Sequence, residues 1–197
     1  MISIYNIKPK FQQLLRPVLE RLHRWGVTAN AITVWALILS SVCGTVFYFY
    51  PISAFYWIYP IVLFVRMALN ALDGMMARTY NQQSKIGEVL NEIGDVLADV
   101  CLFLPLVVLP GIHPMAIVLF VVLGVINEFA GILGKALGGD RRYEGPMGKS
   151  DRAFVVGASL LILLFYPLAA AWLTYVFLGA TALLILSTFV RLKKMLA

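Results

Sequence analysis

AITVWALILSSVCGTVFYFY, Ala31 to Tyr50, runs without one Lys, Arg, His, Asp or Glu and stops at Pro51. A helix over this stretch rises 1.5 Å per residue and reaches about 30 Å, the thickness of a bilayer's hydrocarbon layer. Five further stretches read the same way. They run from about Trp57 toward Met76, Glu88 to Leu109 (ended by Pro110-Gly111), Pro114 to Leu137 (closed by Gly138-Gly139), Arg152 to Tyr166 (stopped by Pro167) and Trp172 to Leu192. Composition agrees. Of 197 residues, 61% are hydrophobic and 13% charged, whereas a soluble domain carries about 25% charge.

The connections alternate. Those after the first, third and fifth spans hold no Lys, Arg, Asp or Glu. Those after the second and fourth hold Arg78 and Lys85, then Arg141, Arg142 and Lys149, and both ends of the chain are basic. With six spans, every strongly basic segment falls on one face, which the positive-inside rule makes cytoplasmic. Upstream, Phe11, Leu14, Leu15, Val18, Leu19 and Leu22 recur at helical spacing, with Arg16, Arg21 and Arg24 marking a polar side. That pattern predicts an amphipathic helix over Pro9 to Trp25, lying in the cytoplasmic interface. The expected fold is all-α: a six-transmembrane-helix bundle with an N-terminal amphipathic interfacial helix. Residues 1–27 form a juxtamembrane segment and 28–197 the membrane domain, in the inner (cytoplasmic) membrane of the cell.

Met1 to Lys10 has no apolar core, so no cleaved signal peptide is expected. Cys43 and Cys101 sit inside apolar runs and read as packing residues. The net charge of +6 fits contact with anionic lipid heads or a phosphate substrate. Nucleic acid is not an expected partner, since there is no soluble basic domain to bind it.

Two spans carry groups that a purely structural helix avoids, since a charge at the bilayer centre costs roughly 2.5–3.5 kcal/mol. Arg66, Asn70 and Asp73 lie at i, i+4 and i+7, within an arc of about 60° on one helix face. In the next span Glu88, Asn91, Asp95 and Asp99 form a similar stripe, with Glu92 beside it. Facing each other, the stripes make a polar cavity near the cytoplasmic end. Carboxylates without a comparable cluster of cations beside them invite a divalent metal.

From Asn70 the chain reads N-A-L-D-G-M-M-A-R, then eight residues, then G-E-V-L-N-E-I-G-D. This resembles the CDP-alcohol phosphatidyltransferase signature D-x-x-D-G-x-x-A-R-x8-G-x3-D-x3-D. Asp73, Gly74, Ala77, Arg78, Gly87 and Asp95 fall in register. Thr28-Ala29-Asn30-Ala31-Ile32-Thr33 resembles the family's P-N-x-x-T opening without its proline, and places Asn30 and Thr33 with the nucleotide site. On physical grounds, Gly74 and Ala77 lack bulk where a nucleotide would approach, the Arg78 fork can grip a diphosphate, and Gly87 permits close helix packing.

The resemblance implies a phosphatidyl transfer. A CDP-linked lipid, CDP-diacylglycerol, meets a polyol or polyol-phosphate hydroxyl, and CMP leaves. It further implies one or two Mg²⁺ or Mn²⁺ ions, Asp95 as the base, and a homodimer. Asn70 and Asn91 replace two family aspartates. They take the motif's protein charge from four minus to two minus, which leaves Glu92, Asp99 or Glu88 to share the coordination, or a site that binds without turnover. Gly148-Lys149-Ser150-Asp151-Arg152 looks similar to a phosphate-binding stretch of relatives that use inositol phosphate, making Lys149, Arg152 and Arg142 acceptor candidates. A small ion or solute transporter is the alternative from another class, as intramembrane carboxylates also mark ion paths. Outside the motif, Arg66 and Glu128 are expected to pair, Tyr143 reads as a loop residue, His23 as solvated and His113 as interfacial.

Overall fold

The computed structural model describes residues 8–196, and all regular structure among them is helical. The leader expectation for Met1 to Ile7 lies outside the described residues. Seven helices follow in order: α1 Lys8–Arg24, α2 Ala29–Phe49, α3 Phe55–Thr79, α4 Lys85–Phe103, α5 Pro114–Ala136, α6 Lys149–Phe165 and α7 Ala170–Leu196. Each expected span has its helix, with ends shifted by a few residues. Two 3₁₀ turns, Leu104–Val108 and Pro167–Ala169, both begin beside a proline and carry the chain out of α4 and into α7.

The helix ends follow local chemistry. Thr28 caps α2, its hydroxyl accepting from the Ala31 N–H at 3.3 Å, and Ser84 caps α4 by accepting from Gly87 at 3.0 Å. Each satisfies an amide that the helix leaves without a partner. Pro114 opens α5, where a missing N–H costs nothing. After α3 the chain turns through Asn81 at φ 54°, the left-handed position that ends helices. The next residue reaches back: Gln82 Oε1 accepts from the Ala29 N–H at 2.8 Å, tying the α3–α4 connection to the start of α2.

α2 packs on both α3 and α4, α3 also on α6, and α5 on α7. Gly44 sets the α2–α4 spacing. A Cβ there would lie 1.8 Å from the Cys101 carbonyl oxygen, so the two backbones touch. The main core runs through Phe47, Tyr59, Leu102, Phe103, Phe120 and Phe177. A second core joins Leu15 and Leu19 of α1 to Leu72, Met75 and Met76 of α3. The first helix therefore lies on α3 with one stripe buried, while Leu14 and Val18 stay exposed. His23 is exposed, as expected, and stacks on Tyr80 with ring centroids 3.5 Å apart.

Four segments are long and apolar enough to cross a membrane: Ala29–Phe49, Phe55–Thr79, Pro114–Ala136 and Pro167–Leu196. The acid-rich α4 and the 17-residue α6 fall outside that group. Large apolar side chains such as Ile38, Val42, Phe64, Phe129 and Leu186 are exposed, a surface that lipid accepts and water does not.

Candidate active site

The two polar stripes do meet. Asn70 Nδ2 of α3 donates to Asp95 Oδ1 of α4 at 2.8 Å. Arg66, one turn earlier, donates to the Asp95 backbone carbonyl at 3.1 Å and lies 2.6 Å from Asp99 Oδ1. Asp73, one turn after Asn70, faces α2 instead. It is buried and accepts from the Thr33 hydroxyl at 2.9 Å. The α2–α4 contact is close here: a Cβ on Gly87 would lie 2.7 Å from Asn30 Oδ1, and one on Gly94 would sit 3.5 Å from the Thr33 methyl. Small residues thus seat Asn30 and Thr33 against α4, with Thr33 orienting Asp73. Asn91 is half-buried on α4. Ala77 is half-buried against the α1–α3 core.

Arg78 stands apart. Its side chain is exposed, and its guanidinium lies 3.2 Å from where a Gly74 Cβ would be. Among the described residues it pairs with no carboxylate.

Elsewhere the charges differ from the sequence expectation in two ways. Arg66 pairs with Asp99 and, at 3.9 Å, Asp95, and not with Glu128. The periodic pattern shows which face a charge occupies but not which neighbouring helix reaches it. Nor are the carboxylates short of cations. The Lys149 ammonium contacts Asp95 Oδ1. Arg152, 1% exposed, bridges Asp99 at 2.6 Å and Glu128 at 3.0 Å. Arg141 bridges Glu92 at 2.6 Å and Glu128 at 2.9 Å, and Lys135 contacts Glu88. These cations come from α5, α6 and the loop before α6, too distant in sequence for a helical stripe to show them.

Asp99 is thereby held between two guanidinium groups. Burial works against the charge on Arg141, but Glu92, Tyr143 and Glu128 outweigh it and raise its pKa. Tyr143 lies under that guanidinium, 4.9 Å from its ring centroid. Arg142 lies 3.7 Å from Glu144. Asp151 accepts from the Gly148 N–H at 2.8 Å and so caps α6.

Sequence reasoning passed over Arg191. It is 2% exposed, lies 3.8 Å from Glu128 and donates to the carbonyls of Asn127 and Glu144. The signal was present: Leu173, Phe177, Ala180, Leu184, Ser187 and Arg191 continue one buried stripe of α7.

Hard divalent ions take oxygen donors. Asp73 and Asp95 offer carboxylates, and Asn70 and Asn91 offer amide oxygens. Among the described residues no three His, Cys, Asp or Glu side chains form a metal-binding group. The residues present fit an ion held by two carboxylates, amide oxygens and the phosphates of a substrate; Asn70 sits beside Asp95, to which its amide nitrogen donates at 2.8 Å.

Comparison with known proteins places this arrangement. Inner membrane protein YnbA of Escherichia coli (strain K12) is 42% identical over 195 residues, covering 99% of this chain and 97% of that protein. Archaetidylinositol phosphate synthase of Aeropyrum pernix is 26% identical over 102 residues, 52% of each chain. The crystal structure of Mycobacterium tuberculosis phosphatidylinositol phosphate synthase (PgsA1) with CDP-DAG bound superimposes with a TM-score of 0.78 at 18% identity, covering 93% of this chain and 94% of that one. The structure of the same synthase with manganese and citrate also gives 0.78, at 19% identity, over 92% and 88%. At such identity these two matches show a shared fold. The family profile described as CDP-alcohol phosphatidyltransferase matches residues 26–189. It spans α2 through most of α7 and every motif residue, and the chain belongs to the CDP-alcohol phosphatidyltransferase family.

Proposed function

We propose that this protein transfers the phosphatidyl group of CDP-diacylglycerol to a hydroxyl of a small polyol or polyol phosphate, releasing CMP, at the cytoplasmic face of the inner membrane. The observation that carries the reading is the contact of Asn70 with Asp95 across α3 and α4, with Asp73 one turn on along α3 and held by Thr33, and beyond it Arg78, which has no carboxylate partner among the described residues. A diphosphate needs both an oxygen-lined ion site and a free cation, and these residues supply them side by side. The diphosphate lies along α3, with Gly74 leaving room for the nucleotide and the Arg78 fork on its oxygens.

The acceptor oxygen attacks the phosphorus that bears diacylglycerol. Its proton passes to an Asp95 carboxylate oxygen, and the bond from phosphorus to the bridging oxygen breaks as CMP departs. Asp73 and Asp95, with Asn70 and Asn91, would hold Mg²⁺ or Mn²⁺, which would supply neutralisation of the diphosphate charge. Thr33 keeps Asp73 oriented. Lys149 and Arg142 face the acceptor, while Arg152 and Asp99 set the charge behind it.

The basic connections support six crossings with both ends of the chain cytoplasmic, α4 and α6 burying their polar faces within the bundle. The basic first helix lies in the interface, and two copies associate in the membrane.

The test is radiolabelled CMP release from CDP-diacylglycerol by protein in nanodiscs, with Mn²⁺ and a panel of polyols. Asp95→Asn removes the base and is expected to slow release by about 10²–10⁴-fold while CDP-lipid binding persists. Undiminished turnover in that variant refutes the assignment. A second reading, binding without turnover, draws on Asp95 Oδ1, which takes both the Asn70 amide and the Lys149 ammonium. CDP-lipid binding with no CMP from any acceptor would favour it.

A further inference from the structure

The first turn of α2 brings Asn30 and Thr33 to the site, and a side chain outside the motif holds that turn in place. Ala29 is the first residue of α2. Its N–H belongs to the opening turn, where no carbonyl of the same helix can accept it. Ala29 is also buried, 6% exposed, so an unmet donor there is costly. Gln82 supplies the partner, its Oε1 accepting at 2.8 Å from 53 residues along the chain. A backbone N–H only donates, so the Gln82 amide is fixed with its oxygen toward Ala29.

Gln82 is itself anchored at both sides. Its own N–H donates to the Ala77 carbonyl at 2.9 Å, at the end of α3. Two residues later Ser84 caps α4 on Gly87, and a Cβ on Gly87 would lie 2.7 Å from Asn30 Oδ1. From Ala29 the contacts run on into the site. The Ala29 carbonyl lies 3.2 Å from Thr33 Oγ1, and that hydroxyl is 2.9 Å from Asp73 Oδ2. The hydroxyl has one proton, which the nearer, charged partner takes.

We propose that Gln82 is a positioning residue for the diphosphate and ion half of the site: its amide oxygen caps α2 from the α3–α4 connection and so holds Thr33 on Asp73 and Asn30 on Gly87. The inference rests on the transferase reading and adds a residue that acts only through α2. Without the Gln82 oxygen the Ala29 N–H turns to water, and the opening turn of α2 frays to reach it. Asp73 then loses the donor that orients it.

The geometry carries its own control. Thr28 has φ −93° and ψ 159°, the extended conformation that a residue before proline adopts. The first helical position accepts proline, because the missing N–H has no partner in the helix. Ala29→Pro therefore removes the donor that Gln82 serves and keeps the turn through its fixed φ.

The experiment uses the full chain in nanodiscs and compares wild type, Gln82→Leu, Ala29→Pro and the double variant by equilibrium binding of radiolabelled CDP with Mn²⁺. Gln82→Leu is expected to weaken CDP binding about tenfold in the wild-type background, and by less than about twofold in the Ala29→Pro background. A tenfold loss in both backgrounds, or in neither, overturns the inference. So does a lowered unfolding midpoint in Gln82→Leu with CDP affinity unchanged, the result of a cap that serves stability alone.

Hydrogen exchange over residues 29–33 is a second readout, independent of any substrate and of whether Ala29→Pro folds. Exchange is expected to be about tenfold faster in Gln82→Leu and to stay at the wild-type rate in Gln82→Glu, which keeps an acceptor oxygen at the same reach. Equal rates in all three overturn the cap. If wild-type protein binds no CDP, the transferase reading fails and the diphosphate role of Gln82 falls with it, while exchange still decides whether Gln82 holds α2.

Discussion

Replacing Glu128 by alanine tests the ion network behind the site. Glu128 Oε1 lies 3.0 Å from Arg152 and 3.8 Å from Arg191, and Oε2 lies 2.9 Å from Arg141. Removing one partner of a buried pair costs about 3–5 kcal/mol, because the other charge stays behind without compensation. Here each arginine keeps something: Asp99 for Arg152, Glu92 for Arg141, and two backbone carbonyls for Arg191. The cost therefore falls at the low end, about 3 kcal/mol. For a chain of this size each kcal/mol moves a midpoint by roughly 2–4 °C, so the loss reads as roughly 6–12 °C. The assay heats purified protein in detergent and follows the surviving monodisperse fraction by size-exclusion chromatography. Glu128→Gln, which loses charge but keeps a hydrogen-bond acceptor, should fall between wild type and alanine. A Glu128→Ala midpoint within about 2 °C of wild type would refute the reasoning, since those arginines would then have no need of this carboxylate.

Arg78→Ala should weaken CDP-lipid binding about tenfold or more, since hydrogen bonds to charged groups are worth about 1.5–3 kcal/mol; unchanged affinity in equilibrium binding counts against the diphosphate role. Thr33→Val removes the hydroxyl on buried Asp73 and should cost about 1–3 kcal/mol of stability, read as a lower unfolding midpoint. Gly44→Ala forces a methyl against the Cys101 carbonyl and should destabilise by about 1–3 kcal/mol, with no change in nucleotide-lipid affinity among molecules that remain folded. Asn70→Asp restores a charged ligand and should tighten Mn²⁺ binding about tenfold, followed by electron paramagnetic resonance; looser binding argues that Asn70 lies outside the ion site.

The helices were legible because apolar length and proline are local signals. Pro51, Pro110 and Pro167 mark breaks that the structure keeps, and Thr28 and Ser84 cap as their residue types suggest. The motif stripe was legible for the same reason. The angular register of Asn70 and Asp73 on one helix requires no knowledge of the rest. What pairs with what was not legible. Arg66 was matched to Glu128 because both are intramembrane charges, yet Asp99 and Asp95 lie nearer once α3 meets α4. Lys149 and Arg152 follow Asp95 by more than fifty residues, and only the packing of α6 against α3 returns them to it. No local pattern marks Gln82, whose amide oxygen accepts from the Ala29 N–H.

In the proposed reaction the groups for the donor lipid, from Asn30 to Asp95, would lie on one uninterrupted piece of chain latched together by Gln82. Those proposed for the acceptor would come from the strap that crosses α5, where the Arg142 N–H donates to the Gly131 carbonyl at 3.0 Å, and from α6 beyond it. Substrate choice and nucleotide chemistry would then be inherited on separable cassettes. A chimaera that exchanges the strap and the first turn of α6 between family members would carry over one alcohol preference for another without disturbing the grip on CDP.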